Sequence, residues 1–383
     1  MNQIRNWAQN HLKGDPIIWF IALLLSFFSI LVVYSATGSL AYKMMKGNTE
    51  YYLMRHSILV LLSLAAIWVA HRIDYRYYTR ISRLLLWISV PMLVFTWLFG
   101  TNINEASRWL TIPVINQPFQ PSDLAKLALI VTLASMLSKR QHAIEDFQRA
   151  IIPMLFWIGL ICGSIALTDI SSAILLFLTC MLVLFIGRVP VKYLAMLVII
   201  GLVFGTVAVG IGQRGGTAKS RITQFLKNDT PFQAKQAYVA IASGGLFGKG
   251  PGQSDQRNFL PHPYSDFIYA IIIEEYGLIG GLLVLFLYLA LLYRGMKAAE
   301  DNEKAYGGLL SAGLSFALVI QAIVNMGVAV GLGPVTGLTL PFISMGGTSQ
   351  LFAGITLGIV LSVSRGEIET LGKSSSNQYK EAA

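Results

Sequence analysis

Apolar runs alternate with short polar connections along this chain, at about 16–38, 52–71, 81–100, 122–138, 150–168, 170–187, 190–212, 266–293, 305–331 and 344–364. A bilayer core takes roughly 20 apolar residues of helix. The pattern therefore predicts an all-α, polytopic membrane protein with about ten transmembrane helices. One polar interval, about 212–265, is much longer than the others. Within it, ITQFL and AKQAYVAIASGGLFG mix apolar and polar residues at roughly helical spacing, which predicts short helices in the membrane interface. Gly244 and Gly245 can end the second of them, because glycine accepts left-handed backbone angles at low cost. A single transmembrane domain is expected over 1–371, followed by a flexible tail, 372–383, with almost nothing to bury.

Composition agrees with the pattern: of 383 residues, 55% are hydrophobic and 13% charged, against about 25% charged in soluble domains. The first run, Ile17 to about Thr37, is too long for a signal-peptide core and is followed by further spans, so it is expected to be retained. Cys162 and Cys180 lie in apolar runs, where cysteine behaves as a small hydrophobe, and no zinc-type spacing exists.

The net charge of +10 is spread over short loops, which argues for membrane topology rather than nucleic-acid binding. Ten helices put both termini on one side. The terminal-side segments carry 17 Lys and Arg, whereas the short loops opposite hold only Lys43, Lys46, Arg55 and Arg108. The positive-inside rule then makes the termini cytoplasmic and places the long 212–265 loop outside, since long loops cross largely regardless of charge.

Charged residues within or beside the apolar runs are the candidates for chemistry, because burying them at membrane depth is costly. Asp266 stands where the long loop meets the eighth run, and either helix capping or a general-base role accounts for it. Glu274 and Glu275 lie about two turns into that run, so at least one should face a polar cavity or pair with a buried base. Asp123 and Lys126 are three apart and share a helix face; Arg108 sits beside Trp109 at the membrane surface. Anchoring and snorkelling explain these as well as chemistry does. Asp169 falls between two apolar runs with no polar loop, either as the cap of a tight turn or as a second carboxylate partnered by Lys126 or Arg108. The stretch NMGVAVGLGPVTGLTLPFISMGGTSQLFAG combines Gly, Pro, Ser and Thr between two spans. Irregular backbone of this kind at membrane depth lines a cavity or is covered by protein; tight packing through Gly346 and Gly347 is the alternative.

Taken together, LPHPYSDFIYAIIIEEYGLIG and GPVTGLTLPFISMGGTSQL, with SRWL at Ser107, QPSDLAK at Gln120 and QAYVAIASGGLFGKGPGQS at Gln236, resemble the SEDS family of membrane peptidoglycan polymerases, which includes FtsW and RodA. Nearly the whole chain is covered. The resemblance implies a ten-helix fold and polymerisation of lipid II into glycan strands, with undecaprenyl pyrophosphate as leaving group. The family's essential loop aspartate falls on Asp266, its conserved lysine and acidic neighbour on Lys126 and Asp123, and its aspartate at the turn between the fifth and sixth helices on Asp169. This chain departs from the usual pattern at Pro261, His262, Tyr264 and Ser265 before the loop aspartate, at Glu105, at Met345, and in TDISS around Asp169. Roles of the family's missing loop residues are therefore not carried over.

GLTLPFIS and QAIVNMGVAVG look more like FtsW than RodA, which implies cell division and, as partners, a class B penicillin-binding transpeptidase and divisome proteins. The expected activity is an inverting glycosyl transfer at the outer membrane face with Asp266 as base. Arg108, Asp123, Lys126, Asp169 and Ser344 form the candidate substrate-binding set, and Glu274 and Glu275 serve as supports. No cofactor is demanded; a divalent cation (Mg or Mn) would help the leaving group, although no metal motif is visible. A lipid II flippase or transporter, an elongation-type polymerase and a non-catalytic divisome scaffold are the rival readings.

Overall fold

The computed structural model describes residues 12–38, 40, 49–103, 106–112, 117–212, 215–227 and 229–381, with side chains except at 101–108, 111–117, 208, 211 and 367–381. Every predicted apolar run is helical: α1 Pro16–Ala36, α2 Thr49–Arg72, α3 Tyr78–Phe99, α4 Pro121–Lys139, α5 Ile152–Ala166, α6 Ile170–Ile186, α7 Val191–Ile211, α10 Ile268–Glu300, α11 Ala305–Ala329 and α12 Thr348–Glu381. The long loop contributes α8 Gly215–Leu226 and α9 Phe232–Gly244. Among the described residues, 7 helices are long and apolar enough to cross a membrane. The chain is a multi-pass membrane protein. The predicted tail is drawn into the end of α12, where its side chains lie outside the described residues.

Burial shows which helices form the centre. In α4, 78% of the apolar window is buried, and in α11 61%, against 28% for α2 and α3. Helices α4 and α11 are thus enclosed by the rest, and α11 packs on α4, α6, α10 and α12. The helices α2 and α12 form the most extensive helix pair. Gly354 and Gly358, one turn apart, allow it: a Cβ on Gly354 would lie 2.6 Å from the Ser63 carbonyl oxygen, and one on Gly358 2.7 Å from that of Ile67. Where lipid supplies no hydrophobic contrast, such small-residue contacts are how helices associate closely.

Two local structures differ from the sequence reading. The second outer connection, expected as a loop, holds a small antiparallel sheet in the order β1 Thr101–Ile103, β2 Ala106–Ile112, β3 Gln117–Phe119. Thr101 pairs with Trp109, and Leu110 with Phe119; β-branched and aromatic residues in RWLTI suit a pleated surface. The eighth run, expected as one continuous helix, is broken at Gly277 (φ 71°, ψ −176°). Its freed backbone groups pair with the segment after α9: Lys249 N donates to the Glu274 carbonyl and Gly250 N to the Glu275 carbonyl, both at 2.9 Å, and Leu278 N donates to the Gly245 carbonyl at 2.9 Å. A Cβ at residue 277 would lie 2.2 Å from the Leu246 carbonyl oxygen, so only glycine fits. The break thereby ties the long loop to the bundle and gives these backbone groups partners.

Candidate active site

Asp266 does not cap the helix that follows it. Helix α10 begins at Ile268 with Phe267 at its N-cap and no side-chain cap bond, so the half-buried carboxylate points elsewhere. Its backbone is held firmly. Asn325 Nδ2, from the enclosed helix α11, donates to the Asp266 carbonyl at 2.9 Å and to the Leu338 carbonyl at 2.6 Å. Ser344 Oγ donates to the Ser265 carbonyl at 2.7 Å and accepts from Leu340 N at 2.8 Å. Ser265 Oγ in turn donates to Asp266 Oδ1 at 2.8 Å. The hydroxyl of Ser344, expected to bind substrate, is thus engaged in joining the 338–344 segment to the loop of Asp266.

The atypical residues before Asp266 form their own contact. His262, at φ 108°, brings Nδ1 to 3.2 Å from the Tyr264 hydroxyl with the two rings edge to face. Burial raises the pKa of the Tyr264 phenol, with the charge of Asp266 among the lesser causes acting in the same direction. The phenol therefore stays protonated at neutral pH and can donate.

Asp123, Lys126 and Asp169 come together through a residue that sequence reasoning missed. Lys126 Nζ lies 3.1 Å from Asp123 Oδ1 and 3.4 Å from Ser172 Oγ, and Ser172 Oγ donates to Asp169 Oδ2 at 2.8 Å. Asp169 also caps α6, accepting from Ser172 N at 3.2 Å, and the Ser172 hydroxyl links its carboxylate to Lys126. The pair is largely shielded, with Lys126 and Asp123 side chains 15% and 11% exposed. Asp123 Oδ2 is buried with no hydrogen-bond partner. Asp123 and Lys126 line a cavity of about 70 Å³ whose opposite wall is Thr339–Phe342 and Ser344. That volume holds a few waters. Ser344, on this wall, also holds the loop of Asp266 through the Ser265 carbonyl.

The backbone of Arg108 lies in β2, and its side chain is outside the described residues. For a divalent cation, the donor set at Asp123 and Asp169 fits poorly, because the Lys126 ammonium and the Ser172 hydroxyl already stand between the two carboxylates.

Glu274 and Glu275 are fully enclosed and clasp the outer loop. Glu274 accepts from Lys249 Nζ at 2.8 Å, Asp255 N at 3.1 Å and Gln256 N at 3.3 Å, and also from Ser254 Oγ. Glu275 accepts from the Ser35 hydroxyl of α1 and from Ser254 N; Arg257 Nη1 donates to the Ser35 carbonyl at 3.2 Å. The hydrogen bond to Glu274, then that to Asp255, raises the Lys249 pKa and keeps it charged. Asn325, Ser172, Lys249 and Arg257 gave no local sequence signal: each is an ordinary polar residue whose role depends on a distant partner.

Residues 15–369 match the family model FTSW_RODA_SPOVE, described as cell cycle protein. Among curated proteins, the chain is 34% identical over 362 residues to "Probable peptidoglycan glycosyltransferase FtsW" of Geobacter metallireducens, covering 92% of this chain and 95% of that one. It is 33% identical over 364 residues to "Stage V sporulation protein E" of Bacillus subtilis, covering 92% and 97%. Among solved structures, it resembles the rod shape determining protein RodA of Thermus thermophilus, with TM-score 0.67, 26% identity, and 93% of this chain and 98% of that one covered. A chain from a peptidoglycan synthase complex, described as coordinating polymerization and crosslinking, shares the fold with TM-score 0.73 at 24% identity, covering 92% and 98%.

Proposed function

The chain belongs to the FtsW/RodA/SpoVE family, and from that premise we propose that it is a peptidoglycan glycosyltransferase that polymerises lipid II at the outer face of the cytoplasmic membrane, in cell division. The observation that carries the reading is the Asp266 carboxylate, released from helix capping and held on a loop pinned by Asn325 and Ser344. The Ser344 segment also walls the cavity reached by Lys126 and Asp123.

In this mechanism Asp266 takes the proton of the acceptor sugar hydroxyl. The freed oxygen pair attacks the anomeric carbon of the lipid-linked sugar from the face opposite the pyrophosphate, with inversion. The anomeric C–O bond breaks and undecaprenyl pyrophosphate leaves, its charge balanced by Lys126 and Arg108. Such charges act strongly in a site largely closed to water. The Lys126 ammonium supplies locally the positive charge that a metal ion would bring. A class B penicillin-binding transpeptidase is the proposed partner, supported by the fold shared with the synthase complex that couples polymerization to crosslinking.

The test is lipid II polymerisation by the purified protein, alone and with its transpeptidase. Loss of a general base costs about 10²- to 10⁴-fold in rate, and that loss is expected for Asp266→Asn at unchanged melting temperature. Glycan strands of normal length and rate from the variant would overturn the assignment. Lipid translocation in sealed vesicles without bond formation would favour a flippase.

A further inference from the structure

A second cavity, of about 340 Å³, lies between α8, α9 and the 330–335 segment after α11. Its size falls in the range of small-ligand sites, about 300–1,000 Å³. From α8 and α9 and the turn joining them it is lined by Arg221, Gln224, Phe225, Asp229, Thr230 and Tyr238. Arg221 Nη1 donates to the Val335 carbonyl at 3.0 Å, which fixes the outer-loop helices against the opposite wall.

The 330–344 segment connects this cavity to the first. Its residues 330–335 line the larger cavity, and its residues 339–344 wall the smaller one that holds Lys126. Between them lies Gly337, where a Cβ would stand 3.5 Å from Asp266 Oδ2. The carboxylate thus lies against the stretch that separates two cavities of different chemistry. The smaller presents the Lys126 ammonium beside the Asp123 carboxylate, in an otherwise mainly apolar lining. The larger balances Arg221 with Asp229 and offers an amide, two hydroxyls and two aromatic rings.

An uncharged sugar entering the larger cavity would meet side chains that both donate and accept, which matches hydroxyl and N-acetyl groups, and the ring faces of Phe225 and Tyr238, which suit the apolar face of a pyranose. We propose that this cavity is a saccharide subsite that holds amino-sugar units of the glycan beside Asp266, while the pyrophosphate end of the lipid-linked substrate occupies the Lys126 cavity. The proposal rests on the polymerase reading given above, and its test reads binding separately from catalysis.

The probe is a soluble fragment of alternating N-acetylglucosamine and N-acetylmuramic acid, without lipid or pyrophosphate, titrated by saturation-transfer NMR against the full chain in nanodiscs. Wild type binds it saturably. Gln224→Leu and Tyr238→Ala weaken binding about tenfold or more at unchanged melting temperature and shorten the glycan products, whereas Tyr238→Phe keeps the ring and restores binding. Asp266→Asn binds the fragment as wild type does even though it does not polymerise, so failure of the base assignment and failure of the subsite appear in different measurements. Absence of saturable binding to wild type, or equal binding by Gln224→Leu and Tyr238→Ala, overturns the subsite.

Discussion

At the residue scale, the telling contrast is between Lys126 and Lys249, two lysines paired with carboxylates in different surroundings. Lys126 is shielded between Asp123 and Ser172–Asp169 at the wall of a cavity. Removing one partner of a buried pair leaves an uncompensated charge and costs about 3–5 kcal/mol. Lys126→Met is accordingly expected to lower the melting temperature and abolish polymerisation. The two effects separate in Lys126→Met/Asp123→Leu, where removing both charges restores stability but not turnover. A double variant with near-normal turnover would show that Lys126 is only structural. Of this cluster, Asp123 and Lys126 were legible because three residues apart on a helix share a face. Ser172, 46 positions from Lys126, was not, since nothing local distinguishes a serine that bridges two charges from one that faces lipid.

The element that organises the long-loop side of the bundle is the break in α10, clasped by the segment after α9. Gly277 supplies the backbone angles, Glu274 and Glu275 the acceptors, and Lys249, Ser254 and Ser35 the donors. Glu274→Gln removes the charge that several donors converge on, so faster proteolysis of the 245–258 loop is expected, with the bundle helices still protected. The same clasp predicts a pH dependence. The folded pKa of Lys249 is raised above its ordinary value of 10.5, so its contribution is fully present below the unfolded pKa and is lost as pH rises through the folded one. The melting-temperature difference between wild type and Lys249→Met should therefore be constant through neutral pH and shrink only at alkaline pH beyond about 10.5. A difference that vanishes near pH 7 would exclude the ion pair as its source. The two glutamates stood out in the sequence because III precedes them and an apolar run follows. The break beside them did not, because glycine is common inside membrane helices and Gly277 acts as a hinge point only by virtue of the chain 29 residues earlier, at Gly248, whose amide nitrogen a Cβ there would approach to 2.5 Å.

Across the whole molecule, helix number and type were legible because each span must carry its own apolar run, whatever its neighbours. Packing order was not. The pairing of α2 with α12 joins the beginning of the bundle to its end through Gly354 and Gly358, and the Asp15–Arg294 ion pair joins the start of α1 to the last turns of α10. Both depend on three-dimensional proximity that periodicity does not encode. Orientation, by contrast, is predicted by the charge bias of the short loops, and the proposed chemistry requires it: lipid-linked sugars polymerised outside the cytoplasm need Asp266, both cavities and the clasp on that face. Phe247, 80% exposed at the turn after α9, and Glu303, in the connection between α10 and α11, report on opposite sides. With Cys162 and Cys180 buried, Phe247→Cys in intact cells should react with a membrane-impermeant maleimide, whereas Glu303→Cys should react only after permeabilisation. The reverse pattern would place the Asp266 loop in the cytoplasm and remove the basis for an extracytoplasmic polymerase.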